Sequence, residues 1–155
     1  MEIDEMIDDK DYKELVEKQI YELTHYLFEK NITFNIVCNI SAISFSPELP
    51  ESISSGFKPL TLFAISGYTF NSAQFDGNNL LFEAGFGPAS FGSVVKVPLF
   101  AIMQIIVGDN VIFINMIAGN EKYVKELEGK KTSQKSINAF MKNPNNKDLI
   151  EKMKS

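Results

Sequence analysis

Few residues in this sequence carry the chemistry that catalysis or metal binding requires. There is one histidine, His25, and one cysteine, Cys38. A lone histidine excludes a two-histidine metal site, and a lone cysteine excludes both an intrachain disulfide framework and a cysteine zinc cluster. His25 falls inside a helical pattern, between Thr24 and Tyr26, with no acidic partner at a suggestive spacing. Cys38 alternates with apolar neighbours, as a small core hydrophobe does. Asp76 and Glu83 flank one hairpin, but Asp76 serves the turn, and proximity in sequence alone does not make a carboxylate dyad. Gly85-Phe86-Gly87 lacks the lysine–serine pair of a phosphate-binding loop. Strand glycines of this kind allow close backbone approach or a bend in the sheet. No catalytic residue, metal site or cofactor is therefore expected, and the chemistry that is left is binding.

Length and charge narrow the class further. At 155 residues the chain makes one ordinary domain, and its 45% apolar content is enough for one core. All 15 cationic residues are lysines; against 20 acidic residues they leave a net charge of −5. That balance lacks the arginine-rich basic stripe of a nucleic-acid binder. The N-terminus, Met1-Glu2-Ile3-Asp4-Glu5, is acidic where a signal peptide begins basic. The most apolar stretch, Val94 to Ala118, is interrupted by Lys96, Pro98, Asp109 and Asn110. Its longest clean piece is about half of the roughly 20 residues a spanning helix needs. A cytoplasmic protein without membrane contact is the expectation.

The elements follow from periodicity. Residues 1–30 carry a charge of −6, residues 31–118 carry −3 and most of the apolar mass, and residues 119–155 carry +4. This pattern predicts one domain over 1–118 and a flexible or partly helical tail over 119–155. Val16, Ile20, Leu23 and Leu27 recur at helical spacing within a helix predicted over Lys10–Lys30, with Asn31 as its stop. Such a stripe faces either the chain's own core or a second subunit. Phe34, Ile36, Cys38 and Ile40 alternate as in a half-buried strand. A loop is expected over Ser46–Ser52, and further strands at Leu60–Ile65, Thr69–Phe75, Leu80–Gly87 and Ser93–Val97. Asp76-Gly77-Asn78-Asn79 is a hairpin turn, since glycine and asparagine tolerate the positive φ it needs. Pro98 suits the first turn of a helix reaching Val107, and Val111–Ile117 reads as a last strand. The sum is an α+β domain: an N-terminal helix, a small curved antiparallel sheet or open barrel, and one further helix. In the tail, Glu121–Gly129 can be helical, and Leu149, Ile150 and Met153 share one side of a lysine-rimmed turn. That last segment reads either as a frayed end or as a short docking peptide.

Several segments, taken in order, resemble the bacterial stringent starvation protein B family of adaptors for the ClpXP protease. The resemblance runs from about Thr24 to Met116. His25-Tyr26-Leu27-Phe28-Glu29-Lys30-Asn31-Ile32-Thr33 is similar to the family's helix end and its turn into the first strand. Leu49-Pro50 resembles the proline-bearing connection after that strand, and Leu62-Phe63-Ala64-Ile65 the aliphatic strand that follows. Phe82-Glu83-Ala84-Gly85-Phe86-Gly87 is similar to a family strand of the form F-x-A-x-F-G, and Val95-Lys96-Val97-Pro98-Leu99 to the entry into the last helix. The chain departs from the family in three places. Its loop from Gly87 to Val94 is longer, Tyr68 and Gly85 stand where arginine is common, and its tail is short and basic.

The resemblance implies an Sm-like β fold and a homodimer paired through the N-terminal helices, with Val16, Ile20, Leu23 and Leu27 as the interface. It implies a groove for an extended peptide, the ssrA degradation tag, lined by Leu62, Ala64, Ile65, Phe82, Ala84 and Phe86. It also implies a C-terminal segment, here Leu149, Ile150 and Met153, that docks on the ClpX unfoldase. Such an adaptor breaks no bond; it raises the effective concentration of ssrA-tagged proteins at the unfoldase. Three other readings stand beside it: an Sm-like RNA-binding module, a small hydrolase or isomerase using His25 or Glu83, and a dimeric structural module without a peptide ligand.

Overall fold

The acidic N-terminus begins as a short helix, α1 (Ile3–Ile7), followed by a long one, α2 (Lys10–Glu29). The structure is a computed structural model, and it describes residues 2–120 and 122–129. Asp9 caps α2: its carboxylate accepts from the backbone N–H groups of Asp11 at 2.9 Å and Tyr12 at 3.4 Å. A cap of this kind stabilises a helix by about 1 kcal/mol. Lys10–Glu14 and Lys18–Glu22 pair along the solvent side, while Val16, Ile20 and Leu27 are buried and Leu23 half-buried. The helix stops where Asn31 turns left-handed, at φ 54°. The predicted stripe therefore packs on the chain's own core.

Two four-stranded antiparallel sheets follow. The first contains β1 (Phe34–Asn39), β3 (Leu60–Ile65), β7 (Ile102–Val107) and β8 (Asn110–Ile114), in the order β3-β1-β7-β8. The second contains β2 (Ser44–Ser46), β4 (Gln74–Asp76), β5 (Asn79–Phe86) and β6 (Phe91–Pro98), in the order β2-β6-β5-β4. Short helices α3 (Glu51–Ser54) and α4 (Gly67–Ser72) lie in the connections. Phe34, Ile36, Phe63, Ile65 and Ile105 from the first sheet join Leu80, Phe82, Val95 and Val97 from the second in one core. The Phe63 and Phe82 rings meet edge-on across the gap, 5.9 Å between centroids. Phe28 of α2 touches Phe34 on one sheet and Phe75 on the other, so the helix covers both. The fold is α+β, as expected, with open sheets and no closed barrel.

Four stretches differ from the expectation. The helix predicted from Pro98 to Val107 is a single 3-10 turn, Leu99–Ala101, followed by strand β7. A mostly apolar run with the single polar Gln104 fits either period, and the β-branched Ile102, Ile105, Ile106 and Val107 favour the strand. Gly108, at φ 59°, then turns the chain into β8, which ends at Ile114 instead of Ile117. The predicted strand Thr69–Phe75 is mostly α4, and the predicted loop Ser46–Ser52 contains the first turn of α3. Residues 122–129 are helical, and Tyr123 lays its ring edge-on against Phe100 at 5.5 Å. Lys122 pairs with Asp8 at 3.3 Å, tying this helix to the N-terminal end of the body. Leu149, Ile150 and Met153 lie outside the described residues. Among the described residues, no helix is long and apolar enough to cross a membrane.

Burial makes two measurable demands on α2. Ile20 has no exposed surface, so Ile20→Ala is expected to lower unfolding stability by about 2–5 kcal/mol in a urea titration. Glu17 is 8% exposed, and its carboxyl is raised above its ordinary value, chiefly by burial, with Lys13 opposing and Glu14 adding to the shift. A raised folded-state value means ionisation opposes folding as pH rises through it, so this residue's contribution is most favourable under acid conditions. Glu17→Gln should therefore raise the melting temperature at pH 7 and lose that advantage on acidification below the carboxylate range. A gain that does not depend on pH would show that Glu17 is not held in an ionisation-hostile site.

Candidate functional site

Alternation along β5 decides which of its residues reach solvent. Leu80, Phe82, Ala84 and Phe86 point to the core side, leaving Leu81, Glu83 and Gly85 outward. On β6 the outward positions are Gly92, Val94 and Lys96. The register pairs Gly85 with Gly92, so two residues without side chains sit directly opposite each other. The result is a trough of about 450 Å³ whose lining includes both glycines together with Ser46, Pro47, Glu83, Ala84, Ser90 and Val94. A Cβ added at Gly92 would meet nothing within 4 Å; one added at Gly85 would come within 3.3 Å of the Ser90 Cβ. The two glycines thus leave backbone accessible at the floor. A second hollow of about 280 Å³, bordered by Asn71, Ser72, Gln74 and Leu81, shares Tyr68, Glu83 and Val94 with the first.

Helix α4 fixes the point where the two hollows meet. Strand β4 pairs with β5 only from Asn79 to Leu81, so the edge of β5 beyond Leu81 lacks a strand partner on that side. Buried or exposed, a backbone N–H and C=O need partners, and here side chains provide them. The Glu83 N–H donates to the Ser72 hydroxyl at 2.9 Å, and the Thr69 hydroxyl donates to the Glu83 carbonyl at 2.9 Å. The Tyr68 hydroxyl donates to the Glu83 carboxylate. That hydrogen bond, and then the carboxylate's charge, raise the Tyr68 phenol above its usual value and keep it a donor. Three side chains of one short helix thus hold one exposed glutamate.

The sequence-derived groove residues do not share a surface. Leu62 and Ala64 are exposed on the outer face of the first sheet, while Ile65 and Phe82 are buried in the core. Ala84 and Phe86 are half-buried, and of these two Ala84 borders the glycine trough. Phe86 turns into an aromatic cluster instead, edge-on to Phe45, Phe57 and Phe63. Adjacent residues of one strand cannot line the same face, which separates Ile65 from Ala64. Thr69 and Ser72 were hidden by the reading of Thr69–Phe75 as a strand, while Tyr68 stood out only as a residue at a place where arginine is common. The available signal was Gly67, whose φ of 57° opens the helix, and the polar Asn71-Ser72 near its end.

His25 and Cys38 each sit among structural contacts. His25 stacks on Tyr21 and lies 3.6 Å from Glu29, an acidic partner one helical turn away that the sequence reading overlooked. Cys38 is fully buried, which pushes its thiol well above the usual range. Among the described residues, no group of three histidine, cysteine, aspartate or glutamate side chains is placed to hold a metal ion. A larger cavity of about 580 Å³ is bordered by Lys13 and Glu17 of α2, by Tyr123 and Leu127, and by residues 41–44 and Phe100. There, burial and then Glu17 and Glu126 push the Tyr123 phenol up to about 12. No protein-family model matches the chain, and no curated protein matches it in sequence.

The clamp on Glu83 has a local signature. Ser72→Ala removes the acceptor of the Glu83 amide, and hydrogen exchange at that amide should speed up by about tenfold or more while global stability changes by less than about 1 kcal/mol. Unchanged exchange would mean that the amide is protected by something other than Ser72.

Proposed function

We propose that this chain is a non-enzymatic adaptor that binds an extended peptide tag along the outer face of β5 and β6. The observation carrying this reading is the opposed Gly85–Gly92 pair, which exposes backbone in a trough bordered by Ser46, Pro47 and Ser90. Peptide main chain can approach such a floor closely, and flanking pockets then select its side chains. The resemblance to the stringent starvation protein B family supplies the biological form of the reading. The tag is of the ssrA type, the receiving machine is the ClpX unfoldase of ClpXP, and the setting is the cytoplasm. Tethering converts a weak encounter between tag and unfoldase into an intramolecular one. The unfoldase-docking residues in this reading, Leu149, Ile150 and Met153, remain those of the C-terminal segment.

Pairing of two chains belongs to the same proposal, with a changed surface. Val16, Ile20 and Leu27 are committed to the core, so a partner would meet the opposite side of α2, where Leu15 is 53% and Tyr26 51% exposed. Positions 15, 19, 22 and 26 follow helical spacing and form one exposed face. Leu15→Glu combined with Tyr26→Glu should convert a dimer to a monomer in sedimentation velocity, because carboxylates would replace the apolar contacts. A dimer that survives both changes would place the interface off this helix.

The peptide reading is tested by titrating a fluorescein-labelled ssrA peptide into the full chain. Gly92→Val should weaken binding by about tenfold or more with the melting temperature nearly unchanged, since its side chain enters the trough at a position with open space for a Cβ. Val94→Gln provides an independent block at another outward-facing residue of the trough. Full affinity in both variants would remove the trough as the binding site. Affinity for single-stranded RNA that falls steeply with salt, without peptide binding, would favour the RNA-binding alternative.

A further inference from the structure

The positioned carboxylate raises a question that a peptide trough alone does not answer. Glu83 is exposed, and exposed hydrogen bonds contribute little to stability. Yet its amide, its carbonyl and its carboxylate each have a partner on α4. The effect of that arrangement is to fix where a negative charge stands. Among the described residues, Glu83 is also the one charged residue bordering the two adjoining hollows; the others there are neutral, including Tyr68, Asn71, Ser72, Gln74, Ser46 and Ser90. Lys96 shares the outer face of β6 but stands opposite Leu81, and among the described residues it forms no ion pair with Glu83.

We propose that Glu83 is a specificity-determining residue that selects peptides presenting a cationic side chain, lysine or arginine, at the junction of the two hollows, and rejects acidic ones. This inference rests on the peptide-trough reading and names the ligand chemistry of that site. A peptide lying over the trough strips water from the carboxylate, an unfavourable step unless a donor replaces the water. Tyr68 occupies one carboxylate oxygen, Oε2, and leaves Oε1 able to accept from an ammonium or guanidinium group. Hydrogen bonds between opposite charges are the stronger kind, whereas a peptide carboxylate placed there would meet like charge in a partly dehydrated site. The chain's net charge of −5 acts in the same direction at longer range.

The test uses the full chain and the labelled ssrA peptide, with each peptide residue replaced in turn by lysine, norleucine and glutamate. At the position over Glu83, the lysine peptide should bind about tenfold more tightly than the glutamate peptide at low salt, and the gap should narrow in 1 M NaCl. Glu83→Gln should reduce that ratio to about two, and Glu83→Lys should reverse the order. The same lysine-to-glutamate ratio in Glu83→Gln as in the unmodified chain, with the norleucine peptide still bound, would overturn the assignment to Glu83 and leave the trough standing. If none of the three peptides binds the unmodified chain, the trough reading fails and this inference fails with it.

Discussion

The rest of the structure depends on two small sheets having to share a single core. A sheet of four short strands cannot cover its own apolar face, and here each inner face buries the other while α2 covers both. Sharing enforces strict alternation, because every strand must give one side of its pleat to the common interior. On β5 the inward set is Leu80, Phe82, Ala84 and Phe86. The outward set is then settled as Leu81, Glu83 and Gly85. The same rule on β6 puts Val95 and Val97 inside and Gly92 outside. The floor of the trough is thus a by-product of how the core is filled.

Unequal strand lengths complete the site. Strands β5 and β6 have eight residues each, whereas their outer neighbours β4 and β2 have three. The long pair overhangs the short ones, and along the overhang backbone groups lose their ladder partners. At Glu83 the side chains of α4 take over that role. Past Glu83 the glycines leave the surface low and the main chain within reach. A peptide seated there could be read by side-chain contacts at the walls and by main-chain contacts at the floor. Neither would be available if β4 and β2 ran the full length of their neighbours.

How much of this could be read from the sequence follows the same physics. Clean alternation in Phe34–Ile40, the glycine–asparagine turn after Asp76, and the spacing of Val16, Ile20, Leu23 and Leu27 each have one structural solution, and those elements formed where expected. Ile102–Val107 has Gln104 as its one polar residue, too little contrast for either period to emerge, and a preceding proline misdirected the reading toward helix. Gly67–Ser72 mixes aromatic and small polar residues over a single turn or so, too short for either period to emerge. The helix stripe showed that one side of α2 is apolar but not what covers it. For the groove, the failure was one of parity: Ala64 and Ile65 are adjacent, and a pleated strand sends them to opposite faces. Register between strands, which alone brings Gly85 opposite Gly92, is not written in either strand by itself.

Among the described residues, the first sheet carries more exposed large apolar side chains than the second: Leu60, Leu62, Val111, Ile112 and Ile114 against Val94. Leu62, Val37, Gln104 and Ile114 form one cross-strand row on its outer face, and Leu62 and Ile114 are each about half exposed. An extended peptide laid across such a face would gain area, but every two-residue slip along it would meet nearly the same contacts. Recognition of a particular sequence needs positions that cannot be exchanged: a place without side chains, a fixed charge, a hydroxyl at a known height. The outer face of β5 and β6 has all three within a few residues, in Gly85 and Gly92, in Glu83, and in Tyr68. Selectivity for one register of a peptide therefore favours the more polar surface.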